Sequence, residues 1–125
     1  MSLHINMEQM GDVVVLQCAG RIVRGRPVCH LKEVVTSLSQ SRVLMLDLSE
    51  VEILDAGGLG LLVFLHNWAW LKGIQLKLVH PSSLVTEMLE LTRLTSVLHI
   101  SSVEDVIQIL CNVDRVIENA DTVVA

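Results

Sequence analysis

The stretch Leu46-Asp47-Leu48-Ser49-Glu50-Val51-Glu52-Ile53-Leu54-Asp55-Ala56-Gly57-Gly58-Leu59-Gly60-Leu61-Leu62 leaves few folds open to this chain. Over residues 43–48 bulky apolar side chains run almost unbroken up to Asp47, as in a strand buried on both faces of a sheet. Over residues 59–71 the pattern becomes that of a buried helix, apolar nearly all the way round. The residues between them, with Ser49, Glu50 and Glu52, read as a compact acidic turn. Glycines at 57, 58 and 60 leave the first helical turn without side-chain cover, so its backbone is open to a phosphate or a partner surface. Asp55 stands where an N-cap belongs.

The flanking sequence repeats this alternation. Residues 3–8 and 13–19 are β-leaning runs joined by Met10-Gly11-Asp12, an opening hairpin. Pro27 is a good first helical residue, and Val28, Leu31, Val34, Val35 and Leu38 follow at amphipathic spacing. After the apolar helix, Lys72 complements the helix dipole and Gly73 is a natural left-handed stop. A strand is expected over 74–79. Pro81-Ser82-Ser83 then opens a helix with Leu84, Met88 and Leu91 on one face, and residues 98–100 return as a short strand. Ser101 and Glu104 form a capping box for a last helix burying Val103, Val106, Ile107 and Leu110 and ending before Asn119. Strands alternating with helices predict a single mixed central β-sheet with packed α-helices, an α/β fold.

With 125 residues and 51% hydrophobic content, the chain suits one domain, with a core over about 3–118 and a tail over 119–125. Its formal charge of -5 is spread without a lysine or arginine block, which argues against nucleic acid as a partner. Cys18, Cys29 and Cys111 are scattered in apolar segments rather than paired at metal or redox spacing, which fits a reducing cytoplasm. The N-terminus lacks the basic-then-apolar pattern of a secretory signal. The apolar stretch 56–71, interrupted by His66 and Asn67, falls short of the roughly 20 residues of a membrane-spanning helix, so no direct membrane insertion is expected.

Asp47, Glu50, Glu52 and Asp55 gather at one end of the sheet, where carboxylates could hold a hard cation or move protons. No nucleophile–base arrangement or metal motif accompanies them, and a solvated acidic rim that helps choose a partner is the better reading. Asp47 ends an apolar strand as in nucleotide hydrolases, yet no glycine-rich loop ending in Lys-Ser or Lys-Thr is present. Gly58-Leu59-Gly60 lacks the third glycine of a dinucleotide fingerprint. His4, His30, His66, His80 and His99 show no ligand pairing, so neither metal nor cofactor is assigned. Ser49, Ser82 and Ser83 suit turns and helix caps. Trp68 and Trp70, two apart on a helix, point in different directions, one toward the core and one accessible to a protein interface.

The run Asp55-Ala56-Gly57-Gly58-Leu59-Gly60 resembles the signature of the STAS domain of bacterial anti-sigma-factor antagonists, in which a strand leads to Asp-Ser-Ser-Gly-Leu-Gly. The resemblance extends to the order of elements over essentially the whole chain and implies the STAS fold. It also implies a non-enzymatic regulator that binds an anti-sigma factor, a serine-kinase-like protein, or a related signalling partner through Asp55, Ala56, Gly57, Gly58, Leu59 and Gly60. In that family the first serine after the aspartate is phosphorylated by the cognate kinase, which releases the partner. Here that position is Ala56, which is not phosphorylatable, and Gly57 replaces the second serine. Gly20-Arg21-Ile22-Val23 also departs from the acidic loop common in sporulation-type antagonists, so the partner is expected to have diverged. The alternatives are an interaction subunit of a membrane lipid-transport system or a nucleotide-binding STAS module, and a homodimer is compatible with either.

Overall fold

The computed structural model describes residues 3–94 and the short strand at 100–101. Its strands are β1 (Leu3–Met10), β2 (Val13–Ile22), β3 (Val43–Leu54), β4 (Gln75–Val79) and β5 (Ile100–Ser101). Three helices are interleaved with them among the described residues: α1 (Arg26–Thr36), α2 (Ala56–Lys72) and α3 (Ser83–Leu91). The strands form one sheet in the order β1-β2-β3-β4-β5. β1 is antiparallel to β2, and every other neighbouring pair is parallel. The mixed α/β sheet expected from the sequence is therefore present.

The opening hairpin turns over two residues, with Met10 facing Val13 and Gly11 at φ 61. A positive φ at the first central residue suits a glycine and matches the twist of the paired strands. Arg42 fastens the far side of this turn: its Nε donates to Asp12 at 2.8 Å and its N–H to the Asp12 carbonyl at 2.8 Å.

Alternation along the strands separates two faces. Val14, Leu16, Leu44, Leu46, Leu76 and Leu78 point into the main core, where they meet Leu31 and Val35 of α1, Leu62 and Leu65 of α2, and Val85 and Leu89 of α3. Val13, Val43, Met45 and Val79 form a second buried cluster on the opposite face. β3 thus contributes to both, as its unbroken apolar run requires.

The structure departs from the sequence reading at two elements. The expected acidic turn after residue 48 is strand: β3 continues to Leu54, burying Val51 and Leu54 beside Gly20 and Ile22 of β2. Gln17 pairs with Asp47 but Ala19 with Glu50, and Gly20 with Val51 but Arg21 with Ile53. Each step places one extra residue on β3, a bulge that breaks the two-residue alternation by which strands are recognised. The second departure is in α3, where Val85 and Leu89 face the core, Met88 packs at its edge and Leu91 is 73% exposed. The expected face of Leu84, Met88 and Leu91 is thus rotated. Ser82 fixes that rotation, since its hydroxyl accepts from Val85 N–H at 3.3 Å and donates to the Val51 carbonyl at 3.0 Å.

The C-terminal stop of α2 is as expected. Gly73 is left-handed at φ 72, its N–H reaches the Trp70 carbonyl, and Ile74 N–H reaches that of Ala69. Ser101 lies in β5, while Glu104, the last helix and the 119–125 tail fall outside the described residues.

Candidate functional site

Only Asp55 separates the end of β3 from the start of α2, so the strand delivers the helix directly. Asp55 is extended, at φ -102 and ψ -174, and its Oδ1 accepts from Gly58 N–H at 2.8 Å, an N-cap bond. The same carboxylate accepts the Arg24 N–H, at 3.0 Å to Oδ2 and 3.2 Å to Oδ1. One side chain therefore caps α2 and ties the β2–α1 loop to it. The Arg24 N–H, followed by that of Gly58, stabilises the ionised form and holds the carboxyl below the usual aspartate value.

The glycines behind this cap serve different ends. A Cβ on Gly58 would run into the Ile22 carbonyl oxygen and the Leu54 side chain, and one on Gly57 would stand 2.9 Å from the Arg24 Cβ. Gly58 is bare because the ends of β2 and β3 press on it, and Gly57 because Arg24 of the β2–α1 loop does, not because they await a ligand. A Cβ on Gly60 would meet nothing within 4 Å. The open backbone expected at all three glycines is thus found at Gly60 alone, while Ala56 is exposed in the first turn. Gly58 and Leu59 are buried, and Asp55 and Gly57 half-buried. Of the six residues read as the partner-binding run, Ala56 and Gly60 present the most surface. Arg24, Asp55, Ala56 and Gly57 line an open depression of about 420 Å3.

Nothing in the sequence singles out Arg24. Its contribution to the cap runs through a backbone N–H, and no side-chain pattern signals such a contact across 31 positions. The exposure of Phe64 and Leu71 on α2 was likewise illegible, because an apolar residue gives the same periodic signal whether covered or not.

The remaining candidates are dispersed. Asp47 accepts Ser49 N–H at 3.0 Å across the first bulge, and Glu50 and Glu52 are exposed. Among the described residues no group of three or more His, Cys, Asp or Glu side chains is placed to hold a metal ion. Cys18 is buried in the main core, where desolvation, followed by the charge of Asp47, pushes its thiol up from 9.0 to about 12. Cys29 is exposed, and Cys111 and His99 lie outside the described residues. Trp68 packs against the core, whereas Trp70 is 79% exposed, the division expected from their spacing. Among the described residues no helix is long and apolar enough to cross a membrane.

Comparison with known proteins agrees with this architecture. No curated protein sequence matches significantly. Among solved structures, unphosphorylated anti-sigma factor antagonist SpoIIAA superposes with a TM-score of 0.71 at 14% identity, over 87% of this chain and 97% of its own. An anti-sigma factor antagonist from Mycobacterium paratuberculosis gives 0.71 at 22% identity, over 86% and 92%. Phosphorylated SpoIIAA, a Bacillus cell fate determinant, gives 0.66 at 14%, over 86% and 99%. At these identities the likeness establishes the fold. The sequence profile of the STAS domain matches residues 4–107, most of the chain, and on that match this protein belongs to the STAS domain family.

Proposed function

We propose that this chain is a non-enzymatic regulatory binding module of the anti-sigma-factor-antagonist kind. Its partner is an anti-sigma factor, a serine-kinase-like protein, or a related cytoplasmic signalling protein. Docking centres on the turn from Asp55 to Gly60, with Ala56 in contact with the partner. The observation that carries the reading is the placement of Ala56, exposed on the first turn of α2 beside the Arg24 depression; on this reading it stands where the motif of the family has its phosphoserine. SpoIIAA has both unphosphorylated and phosphorylated forms. An alanine offers no hydroxyl to a kinase, so this chain stays in the state equivalent to the unphosphorylated antagonist.

The test is native pull-down with partner identification, followed by titration calorimetry of wild type, Ala56→Ser and Ala56→Asp against that partner. Ala56→Ser should bind nearly as the wild type does and become phosphorylated if the partner is an active kinase. Ala56→Asp should bind on the order of a hundredfold more weakly, because an unmatched charge at a docked surface costs several kcal/mol. Equal affinities for all three would remove the turn from the interface. Co-purification with transporter subunits would replace this reading with that of a transport-system partner.

A further inference from the structure

α2 is apolar on the wrong side as well as the right one. Leu59, Leu61, Leu62, Leu65 and Ala69 are buried in the core, yet the residues pointing outward ahead of Lys72 are Ala56, Gly60, Phe64, Asn67, Trp70 and Leu71. Phe64 is 41% exposed, Trp70 79% and Leu71 83%. Positions 56, 60, 64, 67 and 71 repeat at intervals of three and four, so they form a continuous strip along the helix. Asn67 is its one polar member. An apolar strip of this length on a surface marks an interaction site.

Two observations state what it receives. The first is charge. Arg24 lines the depression with Ala56 at its N-terminal end, Lys72 stands at its C-terminal end, and Lys32 of α1 reaches its flank with Nζ 4.5 Å over the Phe64 ring. α1 adds one acid, Glu33, and α2 adds none, while the Asp55 carboxylate is occupied by backbone N–H groups. In a chain of formal charge -5, the described residues that border this strip carry net positive charge. The second is Gly60. Within a helix, glycine is less favourable than alanine, and here the fold leaves open space around the missing Cβ. What the bare position serves is close approach from outside, as when a second helix lies along the first. A lipid surface, which meets protruding side chains, gains nothing from it.

We propose that the outward strip of α2 is the docking track for an amphipathic helix of the partner whose apolar face is bordered by acidic residues. Phe64, Trp70 and Leu71 are its anchors and Gly60 its point of closest approach. This extends the reading of the Asp55–Gly60 turn along the helix and rests on it for the partner's identity.

The test uses the full chain carrying Trp68→Phe, so that Trp70 alone reports. The probes are two synthetic helical peptides with the same leucine face, one bordered by glutamates and one by lysines, and phosphatidylglycerol vesicles. The glutamate peptide should shift Trp70 emission to the blue and bind at least about tenfold more tightly than the lysine peptide. Gly60→Leu and Leu71→Glu, each confirmed folded by thermal melting, should weaken it by roughly tenfold or more. No binding of the glutamate peptide, or equal binding of both, overturns the proposal. So does a response to vesicles alone, which makes the strip a lipid surface. A shift that grows with protein concentration alone, with dimers in ultracentrifugation, assigns it to a second copy. Emission already blue and unresponsive assigns it to residues 102–125 of the same chain. With the identified partner, loss of binding in Ala56→Asp but not in Leu71→Glu would retain the turn and overturn the track. The reverse would retain the track and overturn the turn.

Discussion

Gly58 and Gly60 are two residues apart in one helix, yet opposite outcomes are expected when each is replaced. Gly58→Ala drives a methyl into the Ile22 carbonyl and Leu54, and should destabilise the fold by about 3 kcal/mol. Gly60→Ala adds the same methyl in open space and should stabilise by about 1 kcal/mol. Urea unfolding of both variants checks the pair. Asp55 has a pKa lowered in the native state, so its contribution is complete above the ordinary aspartate value and is lost as pH falls through the native one. Asp55→Asn should therefore flatten the acid limb of the stability–pH curve below about pH 4 while leaving its slope at neutral pH unchanged. Cys18 acts at the other limb. Its thiol stays protonated in the fold up to about 12, whereas the unfolded thiol ionises near 9.0, so the native state holds more protons between those values and stability falls as pH rises. The slope approaches about 1.4 kcal/mol per pH unit, and Cys18→Ala should remove it from melts run across that window. The Asp55 cap was legible from residue type and place; the Arg24 N–H that shares it was not, because backbone donors carry no signature.

Among the elements, those whose apolar residues follow one period throughout, or whose ends carry clear cap and stop residues, were readable. The β1–β2 hairpin, α1 with Leu31 and Val35 inward, and α2 with its Gly73 stop lie where residue pattern placed them, to within a few positions. β3 obeys no single period. Its bulges set Leu48, Val51 and Leu54 three apart, a spacing foreign to a regular strand, and only the neighbouring strand shows that these residues are paired. The end of β3 also lies beyond the reach of β4, whose pairing stops at Asp47. There Ser82 takes over the edge: its N–H donates to the Leu48 carbonyl at 3.2 Å and its hydroxyl to that of Val51. Ser82→Ala removes both the α3 cap and the side-chain bond to β3. A loss of about 1–2 kcal/mol is expected in denaturant unfolding, and hydrogen exchange should rise at Val85 N–H, whose acceptor is gone.

Across the whole molecule, the polar and apolar surfaces are not mixed evenly. Glu50 and Glu52 stand exposed along the bulged end of β3, while the α2 exterior is apolar and edged by cations. The sequence marked α2 as a core helix, which is true of one side only. Hydropathy records composition and not which neighbour covers it, so the other side becomes visible only once the sheet and α1 have taken their places. Leu71→Glu, at a residue 83% exposed, should leave the melting temperature of the isolated chain almost unchanged, within about 0.5 kcal/mol of wild type, while raising its solubility limit. The start of α2 also has an evolutionary consequence. Three consecutive positions there face different constraints: 57 is crowded by Arg24 of the loop above it and 58 is closed by the ends of β2 and β3, whereas 56 looks out and is indifferent to a small group. Alanine and serine codons differ by a single base. A hydroxyl can therefore be gained or lost at position 56 in one mutational step that the fold does not oppose, so descendants of such a chain could carry either residue at the head of α2 with no stability barrier between them.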